Sequence, residues 1–343
     1  KLNSIAGHFQ DTDFDYNWAN GEPELRGEIA NMFNRHFYPV VPVKADDIVV
    51  TNGCTSAIEM LAFAMCNPGD HVLIPAPCYG SLDNDMSLRA RAVATPVKLP
   101  LEEAMTVSQI SYFERAIDDI ERMGGRIYAL SVFDRSEIVT PFESVLSWFD
   151  LDSYIDPSSV VVLHGLSKDF GLNGFRMGWM LSPWNKDLLK VVTSYAQFGY
   201  RPSYTDRLIS KFLSDHHFID SMLKNSQRLL ANNYAHAVEF FDIHRIQYIP
   251  CTAGHFVWFR LPVKACTNTL LSLGLIKELD VSKTKWTVEN EMIVWQHMVC
   301  EKHVFMPTGQ AFCSPEPGWF RLTFAICKEQ LDLALERIGN MIK

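Results

Sequence analysis

The chain has 343 residues, a length at which about three quarters of the unfolded surface can be buried without disulfide or metal staples. Hydrophobic residues make up 48% and charged residues 21%, the balance of an ordinary globular fold. The formal net charge of −9 argues against nucleic acid or an anionic membrane as main partner, though a small anionic ligand feels local charge instead.

Helical and strand patterns alternate along the chain, which predicts an α/β fold. Leu25, Ile29, Met32 and Phe33 recur at helical spacing, with Pro23 suited to a first turn. Ile48–Val50 is a short buried strand that runs into a turn of small polar residues, Thr51 to Ser56, before a helix with Ile58, Leu61, Ala62 and Met65 on one face. Val72–Ile74 is the next strand, ended by Pro75 and Pro77. Val160–Leu163 reads as a continuous apolar strand, as expected when both faces of a sheet are covered. From about Asp215 to Phe241 a helical pattern runs without Pro or Gly, long enough to lead from a large domain, 1–225, into a smaller one, 226–343. Strands follow at Phe256–Phe259 and from Trp319 to Phe324, and the chain closes on a helix with Leu331, Leu335 and Ile338 on one face. The stretch from Ala265 to Asn290 is polar and weakly periodic, which predicts a peripheral insertion.

The eight cysteines form no CxxC pair, so zinc ribbons and thioredoxin-type sites lack their spacing. A reduced, cytoplasmic chain is the simpler expectation. No run of about 18 apolar residues would cross a bilayer, and no signal peptide is visible, although the chain starts at Lys1 rather than Met. His216-His217 has no third ligand at metal spacing, so no metal is expected, and His164 reads as a packed core histidine.

Four motifs carry chemistry. The first is Ser167-Lys168-Asp169-Phe170-Gly171 through Arg176-Met177-Gly178, directly after the strand at 160–163. A lysine there can be partly desolvated, which makes its amine a nucleophile toward an aldehyde. Ser167 and Arg176 are suited to a phosphate dianion. A solvated surface lysine in a glycine-rich loop is the bland alternative. The second is Gly53-Cys54-Thr55-Ser56 between strand and helix, where backbone N–H groups bind phosphate well, or merely form a capped helix start. The third is Pro75-Ala76-Pro77-Cys78-Tyr79, whose aromatic at a strand end can stack on a planar ring or simply pack. The fourth is Glu316-Pro317-Gly318-Trp319-Phe320-Arg321, where strand alternation sets Arg321 opposite Phe320 and Leu322, free to clamp a carboxylate or to pair at the surface.

Together these motifs resemble the class I/II aminotransferases, specifically the 1-aminocyclopropane-1-carboxylate (ACC) synthase-like branch, over most of the chain from Tyr16 to Ile338. The resemblance implies fold type I, a mainly parallel central sheet with helices on both faces plus a smaller C-terminal α/β domain. It implies pyridoxal 5′-phosphate (PLP) as cofactor, with Lys168 forming the internal aldimine and Tyr79 stacked on the pyridine ring. Cys54, Thr55, Ser167 and Arg176 would hold the phosphate, joined by Tyr16 from the other subunit of a homodimer, and Arg321 would hold the substrate α-carboxylate. Tyr128 aligns with the tyrosine that ends the family's Asp-Glu-x-Tyr motif and is a further cofactor-binding and catalytic candidate. Gly165 stands where many relatives have a serine, so one phosphate contact is lost.

One departure accompanies the match. The family's Asn-Pro-x-Asn-Pro strand, the helix after it and the start of Asp-Glu-x-Tyr have no counterpart before Tyr128, and Gly125 falls at the aspartate position. Either a segment is missing near 127/128 or the chain is catalytically crippled. Loss of a central strand would orphan backbone groups, which favours the missing segment. The expected function is a PLP enzyme acting on an amino-acid substrate through an external aldimine and Cα-proton abstraction. Carbon–sulfur lyase or ACC synthase-like elimination comes first, then transamination, and last an inactive PLP-fold scaffold.

Overall fold

The computed structural model describes residues 1–6, 10–39, 41–100, 107–129, 156–251, 253–277 and 282–343. In chain order its elements are α1 (Leu2–Ile5), α2 (Pro23–His36), β1 (Ile48–Thr51), α3 (Gly53–Met65), β2 (His71–Ala76), α4 (Leu82–Ser87) and β3 (Val93–Lys98). There follow α5 (Ile110–Arg122), β4 (Ile127–Ala129), β5 (Val162–Gly165), α6 (Leu166–Asp169), β6 (Gly178–Leu181), α7 (Lys186–Ala196), α8 (Ser203–Leu213) and α9 (His216–His244). The last are β7 (Gln247–Tyr248), β8 (Phe256–Arg260), α10 (Val263–Ser272), α11 (Val288–Cys300), β9 (Trp319–Thr323) and α12 (Lys328–Ile342). The chain divides into two compact units, one of Lys1–Asp70, Asn84–Val93 and Val132–Gln227, the other of His71–Asp83, Ala94–Ser131 and Arg228–Lys343.

In the first unit β6 lies between β1 and β5 and runs antiparallel to both, so β1 and β5 are parallel to each other in one sheet. The apolar stripe of α2 buries against this sheet: Leu25, Ile29 and Phe33 pack with Val50, Trp179 and Leu181, and Ile209 and Phe212 of α8 close the core. Pro23 opens α2, where its missing N–H costs nothing. In α3, Ile58, Leu61 and Ala62 are buried as their spacing requires, but Met65, at the helix end, is 38% exposed. β5 starts two residues later than its apolar run suggests, and all four of its residues are half-buried.

The second unit holds β2 in the centre of a sheet with β3 and β4, its pairing with β4 parallel. Leu73, Val97, Leu99 and Ile120 form the core there. Ile127 and Tyr128 are consecutive residues of β4, opposite His71 and Val72. The same unit contains the antiparallel sheet β7-β8-β9. The expected peripheral insertion after Ala265 is not what the structure has. Residues 263–272 form α10, which packs on α11 and α12 and buries Ala265, Cys266, Thr267, Thr269 and Leu270. Small and β-branched polar residues make that buried face, which is why its periodicity is weak in the sequence.

Candidate functional site

The residues from Gly53 to Ser56 are the first turn of α3 itself rather than a turn before it. Asn52, the residue before them, makes no side-chain cap hydrogen bond, so the first backbone N–H groups of α3 are not satisfied by the usual cap. Gly53 has φ +80°, in the left-handed region, and a Cβ there would lie 2.7 Å from Nη2 of Arg176. Glycine is required on both counts, since it allows the turn and lets the guanidinium lie over the helix start. Arg176 is itself left-handed, with φ 52°, and its Nη1 donates to the carbonyl of Asn173 at 3.0 Å. The guanidinium and the helix N-terminus thus converge on one spot.

Gly165 closes the other wall. A Cβ there would meet the Met177 carbonyl oxygen at 2.8 Å and Cys54 Sγ at 3.0 Å. The sulfur of Cys54 and the neighbouring backbone fill the space that a serine side chain would need. β5 ends at Gly165 and α6 begins at once, its Leu166 N–H donating to the Met177 carbonyl at 3.1 Å. This carries Ser167, half-buried, and Lys168, exposed, into the same unit as the cradle. The desolvation expected of Lys168 is therefore not supplied by packing within the described residues. Asp85 of α4 belongs to no motif in the sequence. Burial raises its pKa, while a hydrogen bond with the Thr55 side chain opposes that shift, and its buried Oδ2 has no partner among the described residues.

Tyr16 is fully exposed, its ring 6.4 Å from that of Tyr200 and edge-on to it. A helix start with an arginine over it is an anion site. Its donors, with a lysine on the adjoining turn, fit the phosphate and the aldehyde of PLP.

Tyr79 and Arg321 belong to the second unit. Arg321 sits on β9 opposite Trp258 of β8. Its Cζ lies 4.0 Å from the Phe256 ring centroid and 4.2 Å from that of Phe312, so two aromatic faces hold the plane of the guanidinium. Phe312 in turn accepts, through its carbonyl, the backbone N–H of Cys78 at 2.9 Å, which ties the segment of Tyr79 to the surroundings of Arg321. Tyr79 is 53% exposed, a ring not consumed by core packing. The Cys78 thiol is pushed up to about 12, first by burial and then by Cys313 beside it.

The loop before β9 is organised by Glu291 of α11, fully buried, which accepts the backbone N–H of Gly318 at 2.6 Å and of Gln310 at 3.2 Å. Burial raises the pKa of Glu291, and these two N–H groups and the Thr308 side chain oppose the shift. Phe256, Phe312 and Glu291 carry no motif, and the alternation that puts Phe256 and Trp258 on one face of β8 is their sole trace in the sequence. Gly125 has no room for the aspartate of the family pattern, because a Cβ there would lie 2.6 Å from Ile120 Cγ2.

The family model for class I and II aminotransferases matches residues 9–111 and 126–338. The chain belongs to that family. Class I and II aminotransferases are PLP-dependent, and the residues around Lys168 fit that cofactor. The chain is 28% identical to the protein named "Probable aminotransferase sirI" of Leptosphaeria maculans, covering 99% of this chain and 86% of that one. The aligned stretch is 379 residues long against 343 in this chain, so that aminotransferase has residues without counterpart here. It is 26% identical to "1-aminocyclopropane-1-carboxylate synthase 6" of Arabidopsis thaliana, over 93% of this chain and 68% of that one. Among solved structures, the aromatic aminotransferase of Pyrococcus horikoshii OT3 superposes with a TM-score of 0.76 at 16% identity, covering 99% of this chain and 91% of that one, which shows the shared fold.

Proposed function

We propose that the chain acts on an α-amino acid with a free carboxylate and catalyses an elimination, as carbon–sulfur lyases and ACC synthases do. The observation that carries the reading is the anion cradle of α3 and Arg176 in the same unit as the exposed Lys168. Lys168 is the amine that joins the cofactor, with Cys54, Thr55, Ser167 and Arg176 on the phosphate. Tyr79 and Tyr128 contact the ring, and Arg321, its plane fixed by Phe256 and Phe312, takes the substrate carboxylate edge-on. When bound, PLP supplies an electron sink for the charge left at Cα. Lys168 would remove the Cα proton through Nζ and return a proton to the product. The protein works as a homodimer in which Tyr16 reaches the partner's phosphate, and its full exposure leaves the ring available to do so.

Transamination is the second reading, favoured by the 28% identity to a protein named as an aminotransferase. Incubation of the PLP-loaded protein with sulfur-containing amino acids separates the two. Elimination releases a thiol without any added 2-oxo acid. Transamination passes the amino group to an added 2-oxo acid and releases no thiol. Turnover of neither kind, in protein that binds PLP, would leave the scaffold reading.

A further inference from the structure

Behind the turn that carries Lys168 lies a pair of side chains that the proposed chemistry does not use. His164 of β5 directs Nε2 at Oδ2 of Asp169, 2.8 Å away, with side-chain exposures of 13% and 14%. The imidazole is boxed by aromatic rings. It stacks on Trp179 at 5.1 Å and meets Phe33 and Phe37 edge-on, each at 5.4 Å. Its other nitrogen, Nδ1, is buried and has no hydrogen-bond partner among the described residues. The contact between Nε2 and the carboxylate ties Asp169 to a ring that the aromatic box holds in place.

We infer that His164, acting through Asp169, is a positioning residue for Lys168. The inference rests on the reading of Lys168 as the cofactor-binding amine. Lys168 and Asp169 are consecutive residues of α6, which is four residues long and has no side-chain cap. One turn of helix has no cooperative stability of its own. Backbone bonds hold its start, from Leu166 N–H to the Met177 carbonyl and from Leu172 N–H to the Leu166 carbonyl, both at 3.1 Å. The His164–Asp169 pair ties its last residue back to β5. Anchoring Asp169 fixes the backbone beside Lys168 and so the direction of its side chain.

Asp169 is the residue next to Lys168 in α6, so a change in how it is held reaches the backbone that carries Lys168. Other charged groups face this pair from neighbouring elements. His36 at the end of α2 has its pKa lowered, first by burial, with Asp220 of α9 and then Asp169 among the charges that oppose the shift. Arg35 contacts both His36 and Asp220, and Arg176 stands on the cofactor side.

His164→Phe keeps a ring in the aromatic box and removes the donor. His164→Gln restores an amide N–H near the place of Nε2. In PLP-loaded protein the visible absorbance is followed against pH, beside the PLP dissociation constant and thermal unfolding. His164→Phe should shift the midpoint of the absorbance titration by about one pH unit and weaken PLP binding roughly tenfold. His164→Gln should recover most of both. Asp169→Ala, which removes the anchor from the other side, should reproduce the loss of PLP affinity, and it decides the matter if His164→Phe does not fold. Wild-type midpoint and affinity in His164→Phe, or equal losses in the Phe and Gln variants, would overturn the inference while borohydride labelling still falls on Lys168. A wild-type label on a different lysine would overturn both the inference and the reading beneath it.

Discussion

Replacing Gly53 by alanine tests the anion cradle at its tightest point. The new Cβ would stand 2.7 Å from Nη2 and 3.2 Å from Cζ of Arg176, at a residue with φ +80°. The left-handed backbone costs about 1–2 kcal/mol for a residue with a Cβ. The clash itself is with the end of a flexible side chain, so Arg176 swings away rather than the backbone yielding. That withdraws a charge-assisted contact from the phosphate, about 1.5–3 kcal/mol, or roughly a 10- to 150-fold weaker PLP dissociation constant. Unfolding in urea should report the first quantity and PLP titration by absorbance the second. If Gly53→Ala and Arg176→Ala both bind PLP as the wild type does, the cradle is not where the phosphate sits.

Gly27→Ala is the matching control: nothing lies within 4 Å of the added Cβ inside α2, so stability should rise by about 0.5–1 kcal/mol in urea with PLP affinity unchanged. Arg321→Ala should cost about 2–5 kcal/mol in kcat/KM for amino acids while leaving PLP affinity intact, and equal kcat/KM would remove Arg321 from the site. Glu291→Ala orphans the N–H groups of Gly318 and Gln310 at about 1–3 kcal/mol each, read by urea unfolding. Burial raises the Glu291 pKa above 4.5, so the folded state holds this proton more tightly than the unfolded chain. Its contribution to stability should therefore fall as pH rises from 4.5 to that raised value, and this part of the pH slope should vanish in Glu291→Gln. Gly165→Ser should destabilise the fold, because the Met177 carbonyl and Cys54 Sγ occupy the space it needs, and a serine accepted without loss of stability would contradict that packing.

The helices with wide apolar stripes were legible from spacing alone. Leu25, Ile29 and Phe33 face the core because a single periodic face leaves them no other place. Lys168, Arg176 and the start of α3 were legible because their motifs are local and their chemistry is specific. Three things escaped. α10 hides its buried face behind threonines and a cysteine, which weakens the periodic signal. The aromatic faces on Arg321 come from Phe256 and Phe312, far apart in sequence and joined only by β8–β9 pairing and the turn before β9. Asp85 meets Thr55 across 30 residues, a contact that no spacing rule encodes. Residues 112–125 lie outside the family match, and the residues from Leu130 to Ile155 lie outside those described, so the departure near Tyr128 is read from the sequence alone.

If Lys168 carries the cofactor, chemical trapping places it there. Reduction of the PLP-loaded protein with borohydride fixes the group to whichever amine holds it, and peptide mapping then locates it. A pyridoxyl label should appear on Lys168 and be lost in Lys168→Ala. A label on any other lysine, or no labelled lysine in protein that retains PLP, would contradict it.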